Sequence, residues 1–338
     1  MNTDLHSDAL VIDSHNDTAV GLIRRGNLGL AGESSPERRR RLGTVAYVRQ
    51  QFDPPERPLQ QTLPRLREGG IDAGYFAVDT TIARNNHLLY ALDALGYLKR
   101  EVETHSTESA IARSAADIET ARAAGRFAVV LAVENSAALQ HSLFALDALY
   151  EVGVRTMTLT HSARTDAADG CEVEGGGGLT GFGREVVRRM NELGMLVDVS
   201  HVNERGFWDV LECSSAPVVA SHSCCRALCG HPRNLTDEQL RALGESGGVV
   251  GITFVPDFID ADAPDMGRLA DHVLHAVDQA GEEAVGLGSD FDGGGDLLAH
   301  AGNYPEITDR LLERGTGEAA VRAVLGLNHL RLLRQVIG

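Results

Sequence analysis

The chain of 338 residues contains a single lysine, Lys99; every other member of its 31 basic residues is an arginine. A Schiff-base lysine, or a carboxylated lysine bridging two metals, is therefore Lys99 or absent. Lys99 stands in Gly96-Tyr97-Leu98-Lys99-Arg100, inside a helical pattern, which excludes it from both roles. The five cysteines, Cys171, Cys213, Cys224, Cys225 and Cys229, are odd in number and contain no C-x-x-C. That fits reduced thiols in a cytoplasmic protein rather than a disulfide framework. Adjacent Cys224 and Cys225 are read as packing residues. Positive charge is scarce, with a net charge of −17, which argues against nucleic acid or an anionic membrane surface as partner. No stretch approaches the ~18 apolar residues of a membrane span. The first eight residues carry neither the basic nor the apolar part of a secretory signal. A G-x-G-x-x-G after the first strand is also missing, and Gly175–Gly178 falls in a loop, which argues against an open dinucleotide-binding sheet.

What is present is alternation. Eight short, nearly continuous apolar runs occupy 9–15, 71–81, 127–134, 154–161, 195–201, 217–222, 249–254 and 284–291, as expected of parallel strands covered on both faces. Helical patterns lie between them at 88–103, 109–124, 137–150, 183–193, 204–213, 237–244 and 266–280, and two more follow near 306–314 and 318–336. Gly125, Gly153, Gly194 and Gly281 close helices, and Thr236-Asp237-Glu238-Gln239 opens one with a capping box. The expected architecture is α/β, a single (β/α)8 TIM barrel over residues 1–338. A β1 excursion at about 24–58, holding Arg38–Arg41 and Pro54-Pro55, is expected to cross the barrel mouth.

Such barrels do their chemistry at the C-terminal ends of the strands. The first run ends Asp13-Ser14-His15-Asn16-Asp17, and the third in Glu134. The fourth, fifth and sixth end in His161, His201 and His222, and the eighth in Asp290, followed by Asp292. Three consecutive runs ending in histidine point to a metal centre. His15 and Asp17, two apart on an extended chain, leave the same face. The donors are nitrogen and oxygen without thiolate, which suits Zn²⁺, Mn²⁺ or Fe²⁺ at a catalytic site. One group on the first run and another on the fifth and sixth suggest two metals, and with lysine excluded Glu134 is the candidate bridge.

These residues resemble the membrane (renal) dipeptidase family of dizinc peptidases, a branch of the amidohydrolase-like barrels. The resemblance is carried by Val11-Ile12-Asp13-Ser14-His15-Asn16-Asp17, Leu63-Pro64-Arg65-Leu66-Arg67-Glu68-Gly69-Gly70, Leu159-Thr160-His161-Ser162 and Leu179-Thr180 through Gly183-Arg184-Glu185-Val186-Val187. It continues in Gly194-Met195-Leu196-Val197-Asp198-Val199-Ser200-His201, Ser221-His222-Ser223, His231-Pro232-Arg233-Asn234 and Gly288-Ser289-Asp290-Phe291-Asp292-Gly293. The resemblance implies that His15 and Asp17 bind one zinc and His201 and His222 the other. Glu134 bridges the two, with a water or hydroxide between them. It implies that His161 and Arg233 hold the substrate and that Asp290 carries the proton to the leaving amine. It also implies a small dipeptide substrate, including L-Xaa-D-Xaa dipeptides, and a homodimer.

The chain departs from the family pattern at several positions. Ser14 and Asn135 stand where glycine is usual. The second run, Tyr75-Phe76-Ala77-Val78-Asp79-Thr80, lacks the usual aromatic-Ser text; Asp79 at its end could point into the site, and the preferred reading is a contact with a loop or with a group that supports the site. The C-terminal Gly326-Leu327-Asn328-His329 replaces a more typical Gly-Gly-Asn, a change read as structural. The seventh run continues into Thr253-Phe254-Val255-Pro256-Asp257, unlike many relatives. That difference leaves open a related hydrolase of N-acyl amino acids or a lactonase. A catalytically silent, metal-holding binding protein is the alternative of another class.

Overall fold

A computed structural model describes residues 3–35, 58–81, 83 and 85–338. Its strands are β1 (Ile12–Asn16), β2 (Ala73–Asp79), β3 (Ser109–Ala112), β4 (Phe127–Glu134), β5 (Thr156–Thr158), β6 (Leu196–Asp198), β7 (Val219–Ser223), β8 (Val249–Ile252) and β9 (Val285–Leu287). Every pairing is parallel. Eight strands close into a (β/α)8 barrel in the order β1-β2-β4-β5-β6-β7-β8-β9, and β2 meets β4 from Ala73↔Ala128 to Asp79↔Glu134. Each of the eight expected runs overlaps one barrel strand, with β1 and β7 each extending one residue past the expected end. Helices cover the outside, which is why β4 is buried along its whole length and reads as unbroken apolar sequence up to Glu134. Among the described residues no helix is long and apolar enough to cross a membrane.

Two expectations need correction. The pattern at 109–124 is not one helix. β3 forms first, and the helix Ala115–Ala123 follows, capped by Ser114. β4 is longer than β5, so its lower edge has backbone groups that β5 does not reach. β3 takes them, pairing Ser109–Ala112 with Phe127–Val130. The second correction concerns strand ends. His15, Glu134 and His222 lie within strands, but β5, β6 and β9 stop early, and His161, His201 and Asp290 stand in the loops beyond them. His201 and Asp290 have φ of +67° and +59°, a left-handed turn that a strand cannot contain.

Two departures from the family text have local explanations. Asn135 has φ +83°, a region that favours glycine and tolerates asparagine best among the others. Its side chain also accepts from Ala137 N. The Ser14 hydroxyl donates to the carbonyls of Ser221 (2.7 Å) and Leu287 (2.9 Å) inside the barrel. It fits because Gly251 and Gly288 face it, and a Cβ on either would meet its oxygen.

Lys99 lies on the helix His87–Thr104 and donates to the carbonyl of Val152, away from the barrel mouth. Cys224 and Cys225 are fully buried, with thiols directed at the carbonyls of Thr253 and His272. The Thr236 capping box is present, and Gly153 and Gly194 are left-handed helix caps. Of the β1 excursion, residues 36–57, with Arg38–Arg41 and Pro54-Pro55, lie outside the described residues.

Candidate metal centre

The barrel mouth opens into a cavity of about 330 Å³, with Asp17, Glu134, His161, His201, Arg233 and Asp290 among its walls. Glu134 is its pivot. As the last residue of β4 it is 2% exposed, and it divides its two oxygens between different partners. Oε1 lies 3.0 Å from Nε2 of His201 and 3.7 Å from Nε2 of His222. Oε2 lies 3.8 Å from Nε2 of His15. That same nitrogen is 3.7 Å from Asp17 Oδ2 and 3.9 Å from Asp290 Oδ1.

Three donor groups overlap here: His15 with Glu134 and His222, Glu134 with His161 and His201, and His15 with Asp17 and Asp290. The rings of His15 and His222 stack at 3.7 Å, and those of His161 and His201 at 4.1 Å. All eight residues singled out from the sequence therefore line or abut one site, although they come from seven separate stretches of chain.

The loops are tied so that these side chains converge. Asp290 N donates to the carbonyl of His15 at 2.9 Å, which fixes the β9 loop to β1. Asp13 strengthens the join by accepting from Ser289 N (2.7 Å), Ser289 Oγ (2.8 Å) and Gln61 Nε2 (2.6 Å). Gly293 lies so close to Asp17 and Asp290 that a Cβ there would meet both carboxylates.

Sequence reasoning gave no role to Asp198 or Ser221. Asp198 Oδ1 accepts from the amides of Ser200 and Ser221, both at 3.0 Å. Its Oδ2 accepts from the hydroxyls of Thr158 (2.7 Å) and Ser221 (2.6 Å). The signal was available in Asp198-Val199-Ser200-His201 and Ser221-His222-Ser223, where polar residues accompany each histidine at the end of an otherwise apolar run.

Electrostatics points to a cation. Burial pushes the Glu134 carboxyl well up, against the pull of His15. His201 and His222 are driven well below the ordinary imidazole value, by burial first and then by neighbouring cationic groups. Both are neutral and can donate a lone pair. Burial alone would also lower His15, but Glu134, Asp17 and Asp290 outweigh it and raise its pKa to about 10. A field that holds a proton so firmly would also hold a metal cation. His15 Nε2 and Asp17 Oδ1 are buried without a hydrogen-bond partner, and buried polar atoms of this kind call for an explanation such as an ion. The nitrogen and carboxylate donors fit a divalent metal of the zinc type.

Asp290 is pushed up to about 8, by burial and then by Asp17, while His15 and Arg233 pull it down. A carboxyl near neutrality can both take and give a proton. Arg233, 4% exposed, follows β7 and donates through Nη2 to the carbonyl of His222 at 2.9 Å. Its guanidinium also lies over the ring of Phe258, 5.3 Å from the centroid. Its Nε has no partner, so a donor remains for a ligand. Asp79, read in preference as contacting a loop or a supporting group with the site as the alternative, does both: it accepts from Thr81 and lines the cavity.

Residues 1–337 match the family model described as membrane dipeptidase, peptidase family M19. Dipeptidase verJ of Clonostachys rogersoniana is 35% identical over 268 residues, spanning 77% of this chain and 68% of that protein. An uncharacterized dipeptidase of Schizosaccharomyces pombe is 36% identical over 297 residues, 81% of this chain and 71% of its own. The crystal structure of a metallopeptidase from Rhodobacter sphaeroides, liganded with a phosphinate mimic of the dipeptide L-Ala-D-Ala, has a TM-score of 0.83 at 28% identity. It covers 97% of this chain and all of the other.

Proposed function

This chain belongs to the membrane dipeptidase family, peptidase family M19, and from that premise we propose that it is a two-metal dipeptidase whose substrates include L-Xaa-D-Xaa dipeptides. The observation that carries the two-metal reading is the division of Glu134, with one oxygen toward His201 and His222 and the other toward His15. His15 and Asp17 would hold one ion, His201 and His222 the other, with Glu134 shared. Two divalent ions, zinc by family, would polarise the scissile carbonyl and lower the pKa of water to ~7.

The chain's own residues supply the rest. Arg233 presents its free Nε–H to the substrate's C-terminal carboxylate, a charge-assisted contact that fixes the dipeptide's orientation. His161, kept neutral because burial disfavours its charged form, donates a hydrogen bond toward the carbonyl oxygen as negative charge develops there. Asp290 accepts a proton from the attacking water and returns it to the leaving nitrogen, so that amine and not amide anion departs. The D-residue preference is supported by the L-Ala-D-Ala mimic held by the Rhodobacter sphaeroides relative. Five unpaired thiols support a reducing, cytoplasmic setting, and the family likeness supports a homodimer.

The test is turnover of a dipeptide library in both chiralities by metal-reconstituted enzyme, alongside N-acyl amino acids and lactones. Cleavage of dipeptides with a D-residue at the C-terminal position is the expected result. Cleavage of an acyl amino acid or a lactone with every dipeptide untouched would overturn the reading.

A further inference from the structure

Three carboxylates of the cavity, Asp79, Glu172 and Asp292, have no part in the proposed reaction. We infer that Asp79 holds the free α-ammonium of the dipeptide's N-terminal residue and makes the enzyme selective for substrates with an unblocked amino terminus. This rests on the dipeptidase reading and assigns its second charged subsite.

Asp79 closes β2 and pairs in register with Glu134. It lines the same cavity as Glu134, His161 and Arg233. Among the described residues its hydrogen bonds are those of Thr81, from the amide at 2.8 Å and from the hydroxyl. A carboxylate has about four lone-pair positions, so accepting capacity remains on the cavity side. The other acids of the cavity are committed elsewhere or peripheral. Asp292 is held by Arg25 (3.3 Å), the amide of Gln60 (2.9 Å) and the hydroxyl of Thr18 (3.0 Å). Glu172 is exposed. Asp17, Glu134 and Asp290 belong to the proposed metal and proton work.

Topology supplies the second argument. In the closed ring β1-β2-β4-β5-β6-β7-β8-β9, β2 and β7 are diametrically opposed. Asp79 ends β2, and Arg233 is anchored to the β7 carbonyl of His222. A negative and a positive group thus face one another across the mouth, with Glu134 and the histidines between them. A dipeptide zwitterion carries the complementary charges at its two ends, roughly 7 Å apart for two extended residues, with the scissile bond between them. An N-acyl amino acid lacks the ammonium and would set an uncharged group against a half-buried carboxylate, which is costly.

The experiment uses metal-reconstituted enzyme, L-Ala-D-Ala as substrate and propanoyl-D-alanine, identical except for the missing amine, as competitive inhibitor. Asp79→Asn is expected to raise KM for L-Ala-D-Ala by roughly 10- to 100-fold, the size of a lost charged hydrogen bond. The kcat should change little, and the inhibition constant of propanoyl-D-alanine should stay as in the wild type. Asp79→Ser, which removes the charge by a different route, should act likewise. If wild type cleaves L-Ala-D-Ala and both variants keep the wild-type ratio of KM to inhibition constant, the assignment is overturned. An effect confined to dipeptides with N-terminal lysine or arginine would overturn it too, by moving the contact to the side chain. Wild type that cleaves no dipeptide sinks the dipeptidase reading itself, a different and recognisable failure.

Discussion

The Ser221 hydroxyl lies 2.8 Å from Nδ1 of His222. Its own hydrogen goes to Asp198 Oδ2 at 2.6 Å, so Nδ1 of His222 carries the proton and donates to Ser221. Nε2 is thereby left as a lone pair facing Glu134 and His201. The hydroxyl sets the tautomer that a metal ligand needs. Ser221→Ala is expected to weaken metal binding by roughly 10- to 100-fold, the usual cost of losing a group that orients a ligand. Chelator competition followed by metal analysis measures it. Unchanged affinity would mean that His222 is oriented by packing alone.

Glu134→Gln should weaken both metals together, because one side chain supplies an oxygen to each proposed site. The neutral amide also removes the charge that opposes two cations. Metal content after dialysis should fall for both ions in parallel. Loss of one ion with full retention of the other would contradict a shared bridge.

Asp290→Asn should retain metal and lose turnover. The amide keeps the size of the side chain but cannot carry a proton, and general acid–base catalysis contributes typically 10²- to 10⁴-fold. A kcat drop in that range with wild-type metal content is the expected result. An unchanged kcat rules out the proton-shuttle role.

Stability toward acid has a contribution away from the site. His329, on the helix Asn328–Val336, is fully buried, and neither ring nitrogen has a partner. Burial, and less strongly Arg331, hold its pKa down at about 3, against the ordinary 6.5. Its folded pKa lies below the unfolded one, so protons favour the unfolded chain. Its cost is absent above pH ~6.5, grows by about 1.4 kcal/mol for each pH unit below, and levels off near the folded value. His329→Met, similar in bulk and without a titrating group, should remove this slope. Urea unfolding at pH 7 and pH 4.5 should show the variant losing about 2.5 kcal/mol less than wild type. Parallel losses in the two proteins would place the acid sensitivity elsewhere.

Much of this protein is legible in its sequence because the signals are local. Apolar runs alternating with helical patterns specify a covered parallel sheet, since periodicity and burial are properties of neighbouring residues. His15-Asn16-Asp17, Glu134, the histidines and Asp290 stand out because charged and imidazole groups at the ends of apolar strands have few structural uses. The single lysine, by exclusion, left Glu134 as the bridge candidate. Other features depend on what lies next to a residue in space. β3 exists because β4 outruns β5 and leaves a stretch of edge to be paired, a length difference that only the assembled sheet exposes. The left-handed turns at His201 and Asp290 carry those side chains past the strand ends. The work of Ser221 requires Asp198 on the neighbouring strand to take its hydrogen. In the sequence Asp79 could face the site, but a contact with a loop or a supporting group is the preferred reading. Closure of the barrel sets it across the mouth from Arg233, because β2 and β7 become opposite only when the eight strands form a ring.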